Sequence, residues 1–172
     1  MGAGLSAKEA NRQECAMIRP RDGLLAAALM VSQFVTVGVQ AADKCIKPAE
    51  VEADKIRYIE TQLKVAVLQC NDFQYAEMPY LYNAFIMENR PYLVRTQKPL
   101  QSYLARSERD SIANYIGTVA NRISVESSNV NQFCGRAMLA VEFSAKAGHP
   151  VKLLNLMPVQ YRRPAELCKK QG

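Results

Sequence analysis

The stretch Glu50–Cys70, EVEADKIRYIETQLKVAVLQC, holds the longest unbroken helical pattern in this 172-residue chain. Ile56, Ile59, Leu63, Ala66, Val67 and Cys70 recur at three- and four-residue steps, while Glu52, Lys55, Glu60 and Lys64 fall on other faces. That spacing predicts an amphipathic helix with one apolar face turned to a core. Cys45 precedes the helix and Cys70 closes it, so both ends are placed for covalent staples.

Upstream, residues 1–41 read as a cleaved signal peptide. Arg12, Arg19 and Arg21 lead into a loosely apolar run, Leu24 to Val39, and Val39-Gln40-Ala41 offers the small residues a signal peptidase uses. Cleavage is expected after Ala41. Met17 would begin a leader of more usual length than Met1. The alternative is an uncleaved anchor, but the run is about 16 residues and is broken by Ser32, Gln33 and Thr36, whereas a span wants about 20. Met1-Gly2-Ala3-Gly4-Leu5-Ser6 also fits the loose myristoylation pattern, a match that competes with the export signal.

Removing the leader takes Cys15 with it and leaves Cys45, Cys70, Cys134 and Cys168, an even set bound for an oxidising compartment. Two disulfides are expected. A continuous helix from about Pro48 to Cys70 holds its ends about 35 Å apart, and bridged Cα atoms lie within about 7 Å, which disfavours Cys45–Cys70. Cys45–Cys168 with Cys70–Cys134 is the preferred pairing, and Cys45–Cys134 with Cys70–Cys168 stays open. No two of these cysteines stand at the short spacing of a zinc site, so no metal is expected.

The remaining residues, 42–172, suit a single helical domain with an irregular basic tail. They carry 18 Lys and Arg against 13 Asp and Glu, a net +5, enough for a well-solvated surface. Asn71 and Asp72 break the first helix. A short helix with Pro79 in its first turn and Tyr82, Phe85 and Ile86 on one face is expected to end near Asn89-Arg90-Pro91. A second short one follows from Pro99, through Leu100, Tyr103 and Leu104, to about Arg106. Ser107 and Asp110 resemble a capping box opening a helix through Ile112, Tyr115, Ile116, Val119 and Ile123 to about Glu126. After Ser127-Ser128-Asn129, Val130, Phe133, Cys134, Ala137, Met138 and Val141 mark another helix, which Gly148 and Pro150 stop. Val151 to Met157 reads as extended or as a turn of helix, and Ala165–Lys170 as a last turn. The sum is an all-α bundle of about four helices stapled by two disulfides.

Chemistry is sparse in this pattern. His149, the only histidine, sits at a helix end before Pro150, where a charged cap would meet the helix dipole. A small envelope hydrolase using His149 and a carboxylate, Glu142 or Glu77, is one alternative function. Lys146 lies four residues beyond Glu142, so an exposed ion pair is the simpler expectation. Tyr75, Tyr80, Tyr82 and Tyr92, interleaved with Arg90, are the candidate partner-binding face, because tyrosine offers rigid area and a hydroxyl. Arg162, Arg163, Lys169 and Lys170 form a basic tail suited to an anionic membrane surface or acidic partner, so a peripheral membrane-surface protein is a further alternative. No dinucleotide, P-loop or haem-attachment signature is present, so no cofactor is expected, and an exported chain argues against nucleic acid.

Taken together, the leader, Cys45, Cys70, Tyr82-Asn83-Ala84-Phe85, Arg90-Pro91, Leu100 with Tyr103, Ala120-Asn121 and Cys134 resemble small secreted helical proteins of Gram-negative bacteria with no assigned activity. The resemblance implies a periplasmic all-α protein and carries over no catalytic residue. The expected function is binding, as an accessory or structural component of an envelope assembly with a protein partner.

Overall fold

The computed structural model describes residues 44–109 and 111–169. The leader, its cleavage after Ala41, Asp110 and Lys170 lie outside them. Among the described residues four α-helices carry the fold: α1 Pro48–Gln69, α2 Met78–Arg106, α3 Ile112–Ser127 and α4 Phe133–Ala147. Two 3-10 segments, Phe73–Tyr75 and Pro150–Leu156, join or follow them. Both disulfides form in the preferred pairing, Cys45–Cys168 and Cys70–Cys134.

α1 begins as its sequence suggests. Pro48 opens the first turn, and the Glu50 carboxylate reaches back to the Lys47 amide at 2.8 Å, satisfying one of the free donors of a helix start. Glu50 and Thr96 side-chain contacts fix its neighbour: Arg106 grips Glu50 with both terminal nitrogens at 2.7 Å, and Arg57 donates to Thr96 Oγ at 2.7 Å. α2 therefore runs antiparallel to α1. Asp54 meets Tyr115 and Gln69 meets Ser127, so α3 runs parallel to α1. Cys134 at the start of α4 is bonded to Cys70, while His149 just past its end reaches Glu52, so α4 is antiparallel. The result is an up-down-up-down bundle.

The bundle is not a simple square. After α4 the chain returns along α1, with Val159 bonded to Gln62 and Tyr58, Tyr161 to Asp54, and Cys168 to Cys45. This returning segment packs against α1 where a four-square bundle would rest α3 on α4. α1 is thus enclosed on more than one face, which explains why Asp54, Tyr58, Thr61 and Gln62 are buried together with Ile59, Leu63 and Ala66. The main core gathers Ile59, Leu63, Phe85, Ile123, Ala137 and Leu153, and a second, smaller cluster of Ile46, Ala53, Leu100, Tyr103 and Leu104 closes the disulfide-tied end.

Three expectations are corrected. The two short helices around Pro91 and Pro99 are one, α2, 29 residues long with both prolines inside. A proline within a helix costs about 3 kcal/mol, but Met87 and Arg95, whose carbonyls lose an amide partner, are exposed to water. Phe85, Leu93, Leu100 and Leu104 are buried on the other face, each worth about 2 kcal/mol. Burial wins over the prolines. Ser107 is consequently the C-cap of α2, its hydroxyl donating to the Tyr103 and Leu104 carbonyls, and the α3 cap is Ser111, which accepts from the Asn114 amide at 3.3 Å. Among the described residues of the expected last turn, 165–169, the tail is not helical: Ile46 and Leu167 form an isolated parallel bridge, the Ile46 amide donating to Glu166 and the Cys168 amide to Ile46. Gly148 stops α4 with φ 65°, as glycine at that position should, and the Val151 region is 3-10 helix.

Candidate functional site

The N-terminal half of α1 forms the floor of a groove between α2 and the turn after α4. Ala49 is exposed there, above Ala53 and Ile56, which are each 3% exposed and reach the hollow only at its base. α2 supplies one bank with Tyr92, Arg95, Thr96 and Pro99, enclosing a hollow of about 120 Å3. On the other side of Glu52 and His149 a shallower hollow of about 420 Å3 is lined by Pro48, Val51, Lys55, Val151 and Lys152.

His149 divides the two hollows, and its geometry is specific. Its Nδ1 accepts from the Val151 amide at 3.3 Å, capping the 3-10 turn, which places the ring proton on Nε2. Nε2 stands 3.3 Å from Glu52 Oε1. Tyr92 packs edge-on against the imidazole, ring centroids 4.5 Å apart, and donates its hydroxyl to the Gly148 carbonyl at 3.2 Å. Both ring nitrogens are therefore occupied, one by a backbone donor and one by a carboxylate. The carboxylate is Glu52, a residue the sequence placed only on the wet face of α1. Neither Glu142 nor Glu77 partners His149 among the described residues: Glu142 is exposed on α4, and Glu77 precedes α2, about 22 Å along the helix axis from Tyr92. Glu142 and Lys146 are likewise unpaired with one another among the described residues, and Lys146 Nζ lies 6.0 Å over the Phe143 ring.

The tyrosine set does not converge on one face. Tyr75 and Tyr82 pack against the main core, and burial pushes the Tyr82 hydroxyl up to about 12. Tyr80 is 76% exposed, Arg90 is exposed, and Tyr92 belongs to the groove. The basic tail is largely spoken for. Arg162 pairs with Glu126 at 3.3 Å and Arg163 with Glu166 at 3.4 Å, while Lys169 is exposed.

A second polar cluster lies inside the fold rather than at its surface. Asp54, 3% exposed, accepts 2.7 Å hydrogen bonds from both Tyr115 and Tyr161. Burial pushes its carboxyl up, against the downward pull of those two bonds and of Arg122 and Arg109. Burial and the adjacent carboxylate push both tyrosine hydroxyls up as well. Tyr58, pushed to about 12 chiefly by burial, donates to the Val159 carbonyl beside Gln62. No sequence motif announces these contacts, since the partners lie about 60 to 107 positions apart.

Among the described residues no group of three His, Cys, Asp or Glu side chains converges to hold a metal, and no helix is long and apolar enough to cross a membrane. The site and fold define a disulfide-stapled helical protein with a small polar-rimmed groove. No family model, curated protein or solved structure matches this chain.

Proposed function

We propose that this chain is an exported helical protein of the bacterial envelope that acts by binding, as an accessory or structural component, without catalysis of its own. The observation that carries the reading is the state of His149. A general base needs a free nitrogen aimed at the proton it takes, and here Nδ1 is held by the Val151 amide and Nε2 faces Glu52. The groove is built for contact: apolar floor, aromatic wall, polar rim. Two disulfides in a chain of this size fit an oxidising compartment such as the periplasm.

The test is intact-mass analysis of the protein from its native host under non-reducing conditions, after gentle cross-linking in the cell. A mature form beginning at Ala42 and lacking four hydrogens, cross-linked to an envelope protein, is the expected result. A full-length reduced form would remove the export premise. His149→Ala, assayed beside it, should weaken the cross-link and abolish no reaction.

A further inference from the structure

The groove has an unbalanced charge. Arg95 and Lys152 stand on its opposite banks, and Lys55 lines the second hollow while leaning 5.9 Å over the Tyr161 ring. Arg95 is stacked 5.1 Å over Tyr92 with its Nε donating to the Pro91 carbonyl, which leaves its terminal nitrogens facing the groove and solvent. Among the described residues Glu52 is the one carboxylate lining either hollow, and His149 engages it. Neither Arg95 nor Lys152 has a carboxylate partner among the described residues.

Resting on the binding reading above, we infer that this groove takes an acidic peptide segment in extended conformation. One small side chain seats against Ala49, Tyr92 and Pro99, above the buried Ala53 and Ile56, and flanking carboxylates meet Arg95 on one bank and Lys152 on the other. The inner hollow, open to solvent and about 120 Å3, suits a single side chain and not a drug-sized ligand. The cations select the charge, since guanidinium pairs with a carboxylate in a planar two-point contact. An extended strand crosses above the Glu52–His149 pair, which forms the saddle between the hollows.

The test is amide chemical-shift mapping of the oxidised full-length protein with Ac-Asp-Val-Glu-NH2 and its uncharged analogue Ac-Asn-Val-Gln-NH2. Saturable shifts confined to residues 49–56, 92–99 and 149–152, at least about tenfold weaker for the uncharged peptide, support the inference. Arg95→Gln and Lys152→Gln should each weaken the acidic peptide by about tenfold with unchanged melting temperature. Equal binding of both peptides, shifts outside the groove, or no saturable shift at millimolar peptide would overturn it. Binding of phosphatidylglycerol vesicles through Arg95 and Lys152 in place of the peptide would overturn it too, in favour of a lipid surface. Failure here with a cross-linked partner in the cell leaves the binding reading standing, whereas cleavage of the peptide during the titration defeats the non-catalytic reading.

Discussion

Two buried carboxylates one turn apart on α1 are held in opposite ways. For Asp54 burial outweighs the Tyr115 and Tyr161 hydrogen bonds and the charges of Arg122 and Arg109, so its carboxyl is raised above 3.8. Burial also pushes Glu50 up, but the Arg106 bonds, the Lys47 amide and both positive charges outweigh it, and its carboxyl falls below 4.5. The signs follow from linkage. A raised carboxyl contributes stability that is complete below 3.8 and lost as pH rises through the folded value. A lowered one contributes stability present above 4.5 and lost as pH falls through the folded value. Asp54→Asn should therefore gain melting temperature relative to the parent as pH rises from 4 toward 7, and a pH-independent difference would defeat this account. Arg106→Ala strands Glu50, 4% exposed, without its guanidinium. Urea unfolding at pH 7 should show a loss of about 3 kcal/mol, the lower end for a broken buried pair because the Arg106 side chain is itself 26% exposed.

At the scale of elements, α2 tests how far packing overrides local preference. Pro91 lies on the exposed side, so Pro91→Ala should restore an amide donor to Met87 and stabilise the protein by about 1 kcal/mol in urea unfolding, part of the gain being offset by a freer unfolded chain. Glu108, just past the C-cap of α2, takes φ 53° while the Arg109 amide closes onto the Leu104 carbonyl, the geometry in which glycine is preferred. The periodicity of Ile56, Ile59, Leu63 and Ala66 made α1 legible, and Gly148 before Pro150 made the α4 stop legible, because each signal is local. The continuity of α2 was not legible, since what carries the helix through Pro91 and Pro99 is burial of Phe85 and Leu100 against residues distant in sequence. The groove shared that fate: His149 and Tyr92 could be singled out, but Glu52 is 97 positions from His149 and looks like any solvated helix charge.

For the whole molecule, the two disulfides divide the work by what they tie down. Cys45–Cys168 closes a separation of 123 residues and Cys70–Cys134 one of 64. Chain entropy assigns each about 4 to 5 kcal/mol, comparable to the full margin of a small domain. The length difference alone is worth only about 0.6 kcal/mol, so stability hardly distinguishes them. Local structure does. Cys168 anchors the returning segment that delivers Tyr161 to Asp54 and Val159 to Gln62, the polar contacts that let α1 bury its second face. Cys134 anchors the start of α4 beside Cys70 and Tyr75. Replacing Cys45 and Cys168 with serine should raise amide exchange first along residues 157–168 and then at Asp54, Tyr58 and Gln62 in α1, leaving the start of α4 protected. Replacing Cys70 and Cys134 should instead open Phe73–Tyr75 and the first turn of α4 while the returning segment stays in place. Hydrogen exchange read by mass spectrometry separates the two patterns. A uniform rise in both variants would mean that the returning segment is held by the global fold and not by its own staple, and that α1 is enclosed by four helices without it.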